Sequence, residues 1–437
     1  MNKYPFYYYI LLLLALILSI AFWWLILFNS GERTSIAQYS NDDSIYILKP
    51  VDPSKIIDDE VNNRKIVSNI VNIAVKDTLT KTPEFIAAFN KTYDSSHYKI
   101  RYADSILNFI QVEIPEDQRL TFKKEVKQKM SPFQLLVWDE SLFSSNKANL
   151  LSAPDWYVKS SNLEVPITTV NASNTIIAVI DNGFDLQHPA LLNKAYKPYN
   201  VIDHSENVQP NPENHGTFVA SIAAGNNLPS DNFQGVSQNG KLMPIKIEDE
   251  NGLMTTTYII KGILYAIKNH ADVVNLSLGL EILVNTPLET QKEYMKNGAK
   301  DEEEFWNDVF TYAEKNKTIC VLAAGNSTIL TGVDPFQRSE KTVKVGAIDE
   351  NFQITDFSNY GDLTTVYAPG KDIRGAKPGN QFAIGDGTSF AAPIVSGFLA
   401  LLKAENKNKS NTEILDLLMK NTEERNRLTI LNYKTLN

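Results

Sequence analysis

Nineteen of the 20 glycines fall between Gly183 and Gly397, and the remaining one is Gly31. A stretch from 32 to 182 without glycine, followed by a dense run, implies two differently built units. The first is made from regular helices and strands with ordinary turns. The second needs tight turns and close backbone approaches, which glycine permits most cheaply. At 437 residues the chain has room for about two or three folded units. Its hydrophobic share of 43% supports a packed core and excludes wholesale disorder. A net charge of −9 speaks against a broad basic face for nucleic acid. Cys320 is the only cysteine, which excludes an intrachain disulfide and a thiolate-rich metal cluster. Five histidines leave little room for a multi-histidine zinc site.

Between Lys3 and Glu32 there is no charge, and Ile10 to Phe28 is apolar except for Ser19. With Tyr7–Tyr9 this run is about 22 residues, enough to cross a hydrocarbon layer of roughly 30 Å as a helix. Tyr4, Phe6 and Tyr7–Tyr9 crowd one end, and Trp23, Trp24 and Phe28 the other, as an interfacial aromatic belt would. The expectation for 1–31 is a transmembrane anchor, with the rest of the chain outside the cytoplasm. The competing expectation is a cleaved signal, with Ser35-Ile36-Ala37 as the small-residue site. Residues 32–44 are polar and read as a tether.

Residues 45–145 read as a small β-α-β-β-α-β unit. Ile45–Leu48 is a strand candidate, and Ile66, Ile70 and Ile73 keep helical spacing. Thr82-Pro83-Glu84 reads as an N-cap followed by proline at the first helical position, leading into Phe85, Ile86 and Phe89. Tyr98–Tyr102 and Ile106–Ile114 read as strands. In the second, Ile110, Val112 and Ile114 alternate with Gln111 and Glu113, which implies one buried and one wet face. Phe122, Val126 and Met130 mark a helix after Pro115-Glu116, and Phe133–Trp138 a closing strand. Nothing in this unit has the makings of a catalytic site.

From about 150 onward, apolar strand runs alternate with helical patterns. The strands are Ile176–Ile180, Leu242–Ile247, Val273–Ser277, Ile319–Ala323, Val343–Gly346 and Thr365–Ala368. The helices are Thr217–Ala224, Tyr258–Lys268, Glu303–Lys315 and Phe390–Lys403. Such alternation predicts a doubly wound α/β fold with a mostly parallel sheet. In that architecture reactive groups sit beyond the carboxyl ends of strands.

Three loops meet that rule. Asp181-Asn182-Gly183 follows a buried strand, and taken alone it is an ordinary turn. His215 opens a helix, where the dipole disfavours its cation, and taken alone it is a surface histidine. Ser389 stands in Gly387-Thr388-Ser389-Phe390-Ala391-Ala392-Pro393, as either a helix cap or a nucleophile. Pro393 is expected in the first helical turn, where it is tolerated. Together the loops supply a carboxylate, an imidazole and a hydroxyl, the inventory for nucleophilic acyl transfer. Asn326, after Ala323-Ala324-Gly325, offers an amide for the oxyanion, and the Ser389 backbone N–H is the second donor.

These strings, in the order Asp, His, Ser, resemble the subtilisin-like serine proteases. Ile177–Gly183, His188-Pro189, Asn214-His215-Gly216-Thr217, Asn275-Leu276-Ser277-Leu278-Gly279, Ala324-Gly325-Asn326 and Gly387–Pro393 carry the resemblance. It runs from about Trp156 to the C-terminus. It implies a catalytic set of Asp181, His215 and Ser389, an oxyanion hole of Asn326 and Ser389, and a peptide-binding edge at Ser277, Leu278 and Gly279. Ala323, Ala324 and Gly325 would form the other wall of the pocket for the side chain before the cleaved bond. Residues 45–145 then resemble the ferredoxin-like propeptide of that family, an intramolecular inhibitor.

The sequence departs from the family pattern at four places. Asn182 stands where threonine is usual, Phe218 where a second histidine is usual, and Phe390 where methionine is frequent. Ala190 replaces an aspartate that often ligates calcium, so no metal or other cofactor is expected. The resemblance implies a serine endopeptidase acting on protein or peptide substrates. It would be made as a precursor, self-processed between Leu142 and Ala153, and either membrane-anchored or secreted. The alternatives are a dedicated processing protease for an exported peptide, and an inactive subtilase-like binding protein. A non-peptide acyl hydrolase lacks its Gly-x-Ser-x-Gly elbow here.

Overall fold

In this computed structural model the described residues are 48–59, 62–76, 81–145, 156–210, 214–280 and 286–434. They fall within one compact unit. The apolar stretch 1–31, the tether 32–44 and all of Ile45–Leu48 except Leu48 lie outside them. Among the described residues no helix is long and apolar enough to cross a membrane.

The N-terminal part consists of β1 (Ile56–Asp59), β2 (Arg64–Val75), α1 (Thr82–Thr92), β3 (Lys99–Asp104), β4 (Phe109–Glu113), α2 (Arg119–Lys129) and β5 (Leu135–Ser144). Its antiparallel sheet has the order β5-β2-β4-β3, with β1 also paired to β2. This is the β-α-β-β-α-β layout expected, with three corrections. The long strand that opens the pattern, after the short β1, is β2 (Arg64–Val75), over residues that the isoleucine spacing had marked as helical. Both faces of β2 are covered: Val67, Ile70 and Ala74 enter one core, and Val71, Ile73 and Val75 the other. Lys81, not Thr82, is the cap residue of α1, and the Thr82 hydroxyl instead donates to Asn108 Oδ1 at 2.9 Å. The face of β4 expected to be wet is docked: Gln111 is buried and its amide donates to Thr257 Oγ1 at 2.8 Å.

The remainder is the α/β fold anticipated. Its strands are β6 (Ile176–Asp181), β7 (Tyr199–Asn200), β8 (Lys241–Lys246), β9 (Met254–Thr255), β10 (Val273–Leu276), β11 (Gly279–Leu280), β12 (Ile319–Ala323), β13 (Thr342–Ile348) and β14 (Val366–Pro369). The hairpin β15–β16 (Ile373–Lys377, Gln381–Gly385) and the strands β17 (Thr422–Arg425) and β18 (Leu428–Leu431) complete it. The main sheet runs β17-β18-β14-β13-β12-β10-β6-β8-β7, parallel except for the β17–β18 pair. The helices that position the site are α3 (His215–Ala224), α4 (Thr256–Lys268), α5 (Lys300–Lys315) and α6 (Thr388–Glu405).

Strand β6 shows how the layers form. Ile177 and Val179 belong to the core shared with α3 and α6, whereas Ala178 and Ile180 face the core shared with α4 and α5. A strand buried on both faces needs a continuous apolar run, and that is what the sequence supplies. The N-terminal part docks on the second of these cores. Trp138 on β5 and Phe109 on β4 pack on Phe305 of α5, with ring centroids 4.4 and 5.3 Å apart.

Polar groups fix that docking. The buried Glu140 carboxylate accepts from Thr257 N at 3.1 Å, Thr257 Oγ1 at 3.0 Å and Asn72 Nδ2 at 2.6 Å. It thus supplies an acceptor for a first-turn N–H of α4, which the helix itself cannot satisfy. Burial pushes this carboxyl above its ordinary range. Strand β5 also continues past its own sheet. Leu142 and Phe143 pair with Thr255 and Met254 of β9, while Phe143 and Ser144 pair with Leu280 and Gly279 of β11.

Candidate active site

Asp181 ends β6, and His215 is the first residue of α3. His215 Nδ1 lies 2.9 Å from both carboxylate oxygens of Asp181, with the two side chains 2% and 1% exposed. Asn182 N donates to Asp181 Oδ1 at 2.8 Å, and Asn182 Oδ1 accepts from Gly216 N at 3.0 Å. The loop and the helix end are therefore stitched twice. A Cβ at Gly216 would stand 2.4 Å from the Gly183 carbonyl, so only glycine lets α3 approach this closely.

Ser389 is the second residue of α6, which starts at Thr388. Its hydroxyl donates to the Ser277 carbonyl at 3.2 Å, and among the described residues His215 Nε2 has no hydrogen-bond partner. The three groups share one end of the sheet, and a rotation about the Ser389 side-chain bond must precede any proton transfer to His215. Pro393 is the sixth residue of α6, beyond the first turn expected for it. It removes the N–H that would bond the Ser389 carbonyl. The Ser277 hydroxyl fills that place, donating to Ser389 O at 2.8 Å. Ser277 Oγ in turn accepts from Asn275 Nδ2 at 2.9 Å, and Asn275 Oδ1 accepts from Ser396 Oγ at 2.8 Å. Asn275 and Ser396 escaped the sequence reading because their partners are set by tertiary contact.

Asn326 Oδ1 accepts from Thr388 N at 2.8 Å and from Thr388 Oγ1 at 3.0 Å. That leaves the amide nitrogen as its donor end. Gly325 has φ +104, and a Cβ there would lie 2.3 Å from Asn359 Nδ2. The segment Gly332–Gln337 is hydrogen-bonded both to Leu280, next to the expected edge Ser277-Leu278-Gly279, and to the expected wall Ala323-Ala324-Gly325. Asp334 Oδ2 accepts from Leu280 N at 3.2 Å, and Gln337 Nε2 donates to Ala323 O at 2.8 Å and Ala324 O at 3.0 Å. Leu278 is buried in the same cluster as Phe143 and Phe336. The Asp334 carboxyl is pushed up to about 7 by burial and then by Glu302.

The Phe218 and Phe390 ring centroids lie 4.4 Å apart with their planes tilted by 42°, and the Phe390 ring lies 5.6 Å from that of His215. Ala190 is buried against Phe233 and Ala376, an apolar setting. His188 is buried and structural: its Nδ1 accepts from Ala190 N at 3.1 Å and its Nε2 lies 2.9 Å from Gln381 O.

Residues 172–434 match the model of the subtilase family, Peptidase S8. The chain belongs to the subtilase family. A thermophilic serine proteinase of Bacillus sp. strain AK1 is 36% identical over 246 residues, which cover 56% of this subtilase and 56% of that protein. Subtilisin NAT of Bacillus subtilis subsp. natto is 32% identical over 252 residues, covering 56% of this chain and 60% of its own. The match thus spans little more than half the length of these relatives. Among solved structures, the epidermin leader peptide processing serine protease (EpiP) of Staphylococcus aureus superposes with a TM-score of 0.66 at 19% identity. That likeness covers 83% of this subtilase and 97% of EpiP, more than the family region alone.

Proposed function

We propose that this subtilase is a serine endopeptidase whose N-terminal α+β part, described over 48–145, is a propeptide that occludes the cleft until it is cut. One observation carries the reading: Leu142–Ser144 lies as an added strand between β9 and β11, as an extended peptide substrate would. Ser144 is opposite Gly279. A peptide held in this register brings the residue two places further on opposite Ser277, whose carbonyl touches Ser389 Oγ.

Asp181, His215 and Ser389 take the roles of orienting carboxylate, base and nucleophile. The hydroxyl swings from Ser277 O to His215 Nε2, gives up its proton and attacks the carbonyl carbon. Asp181 holds the proton on Nδ1 and stabilises the imidazolium. Asn326 Nδ2 and the Ser389 N–H receive the oxyanion. The imidazolium then protonates the departing amine, and water repeats the sequence on the acyl-enzyme. No metal or cofactor is assigned a part.

Residues 1–31 are proposed as the anchor or signal that carries the catalytic part outside the cytoplasm, membrane-bound at first or secreted once processed. The narrower form of the proposal is a dedicated processing protease for an exported peptide, the kind of role named for EpiP, with which this chain shares its fold. Expressing the chain with and without Ser389→Ala tests the reading. The wild type should cleave peptides and label at Ser389 with a serine-directed reagent. The alanine variant should lose turnover on the order of 10⁶, the loss known for subtilisin itself. Unchanged turnover in the variant would refute it.

A further inference from the structure

The propeptide reading leaves one contact unexplained. Arg64, at the start of β2, inserts its guanidinium into the catalytic part, where Nη1 meets Glu302 Oε2 at 2.5 Å. The two side chains are 3% and 0% exposed. Among the described residues, Glu302 Oε1 and the Tyr294 hydroxyl are buried there without a hydrogen-bond partner. The buried Asp334, one residue before the start of the short helix Pro335–Gln337, adds a second carboxyl. The neighbouring Arg338 is committed elsewhere, to Gly332 O at 2.7 Å, Gly298 O at 2.8 Å and Glu303 at 2.8 Å. A buried carboxylate stripped of its cation is costly, so this site is built around a guanidinium that departs with the propeptide.

We propose that Glu302, Asp334 and Tyr294 form a guanidinium subsite of the mature cleft, filled by Arg64 in the precursor and by a substrate arginine afterwards. The inference rests on the protease reading. Arg64 stands two residues before Ile66, whose partner on β5 is Ser141, and it acts electrostatically on Asp334, whose Oδ2 accepts from the N–H of Leu280, the residue opposite Phe143. Phe143 faces the same region, its ring 5.6 Å from that of Phe336. In the register above, the residue in Phe143's place stands fourth before the scissile bond. An arginine there has the reach to turn its fork onto Glu302, where planar, bidentate recognition favours arginine over lysine.

Two measurements test this. In the uncut full chain carrying Ser389→Ala, Arg64→Ala should lower the thermal midpoint. Millimolar ethylguanidinium should restore part of it, and the neutral isostere ethylurea should not. Adding Glu302→Gln should abolish the rescue. Rescue that is absent, or that survives Glu302→Gln, overturns the subsite. In the self-processed enzyme, a peptide with arginine fourth before the bond should exceed its citrulline counterpart in kcat/KM on the order of tenfold, and Glu302→Gln should erase the difference. Equal hydrolysis of both peptides by the wild type overturns the subsite and leaves the protease reading standing. Ethylguanidinium rescue without hydrolysis of any peptide does the reverse.

Discussion

Ser277 and Ser389 exchange hydrogen bonds: the Ser277 hydroxyl donates to the Ser389 carbonyl at 2.8 Å, and the Ser389 hydroxyl donates to the Ser277 carbonyl at 3.2 Å. The first bond exists because Pro393 has no N–H to offer that carbonyl. The second parks the candidate nucleophile beside the edge that would hold substrate. One residue therefore fixes both the helix that carries the nucleophile and the strand that presents the peptide.

Removing the Ser277 hydroxyl leaves a buried carbonyl without a donor. Ser277→Ala should cost about 1–3 kcal/mol in denaturant unfolding and lower kcat more than it raises KM. Adding Pro393→Ala returns a helical N–H to the Ser389 carbonyl and should recover much of the lost stability. Strict additivity of the two substitutions would show that Pro393 is not the reason for the Ser277 bond.

If the chain cuts itself as proposed, the pairing of Ser144 with Gly279 points to one bond. Two residues further in the same register is Asn146, so the first cleavage should fall between Asn146 and Lys147. Intact mass of the released N-terminal fragment decides it. A fragment ending elsewhere means that substrate binds in another register.

Asp334 makes stability fall as pH rises. Burial pushes its carboxyl up to about 7 in the fold, against an ordinary value of 3.8. Between these values the unfolded chain releases the proton and the folded chain keeps it, so the folded state is penalised progressively from about pH 4 to pH 7. Asp334→Asn removes that slope, at the expense of one acceptor. The stability difference, variant minus wild type, should grow in the variant's favour by up to about 4 kcal/mol between pH 4 and pH 8. A pH-independent difference would exclude Asp334 as the source.

Phe390 puts a ring, not a thioether, next to the nucleophile. Peroxide should leave peptidase activity largely intact, because no sulfoxide can form there. Phe390→Met should make activity peroxide-sensitive, measured as residual turnover after a timed exposure. Equal inactivation of both proteins would locate the oxidised group elsewhere.

The parallel sheet was legible because β6, β10 and β12 are buried on both faces and read as nearly continuous apolar runs, with Asn275 the polar exception in β10. The loops of Asp181, His215 and Ser389 were legible for a related reason: each sits where such a strand ends or a helix begins. Strand β2 was misread because docking covers its second face. Ile66, Ile70 and Ile73 then mimic a helical stripe once Val67 and Val71 erase the period of two. Gln111 misled in the opposite sense, since a polar residue at an interface looks like one in water. The pairing of β5 with β11 was anticipated through the resemblance, which marks Ser277–Gly279 as a peptide-binding edge, but its register and the pairing with β9 had no sequence signal, because main-chain hydrogen bonds are indifferent to side chains. Asp334 was hidden by Pro335, since Asp-Pro reads as a surface turn.

Strand β5 is paired to β2 along most of its length and to β9 and β11 only over Leu142–Ser144. If it is severed beyond Ser144 as proposed, it cannot peel out of the cleft like a spent peptide, because its own sheet holds it. The whole N-terminal body must lift off at once, breaking the Trp138–Phe305 contact, the Glu140 cap and the Arg64–Glu302 pair together. Departure, not hydrolysis, is then the clock: activity should emerge after a lag that outlasts the cut, shortens with dilution, and lengthens when the severed fragment is added back.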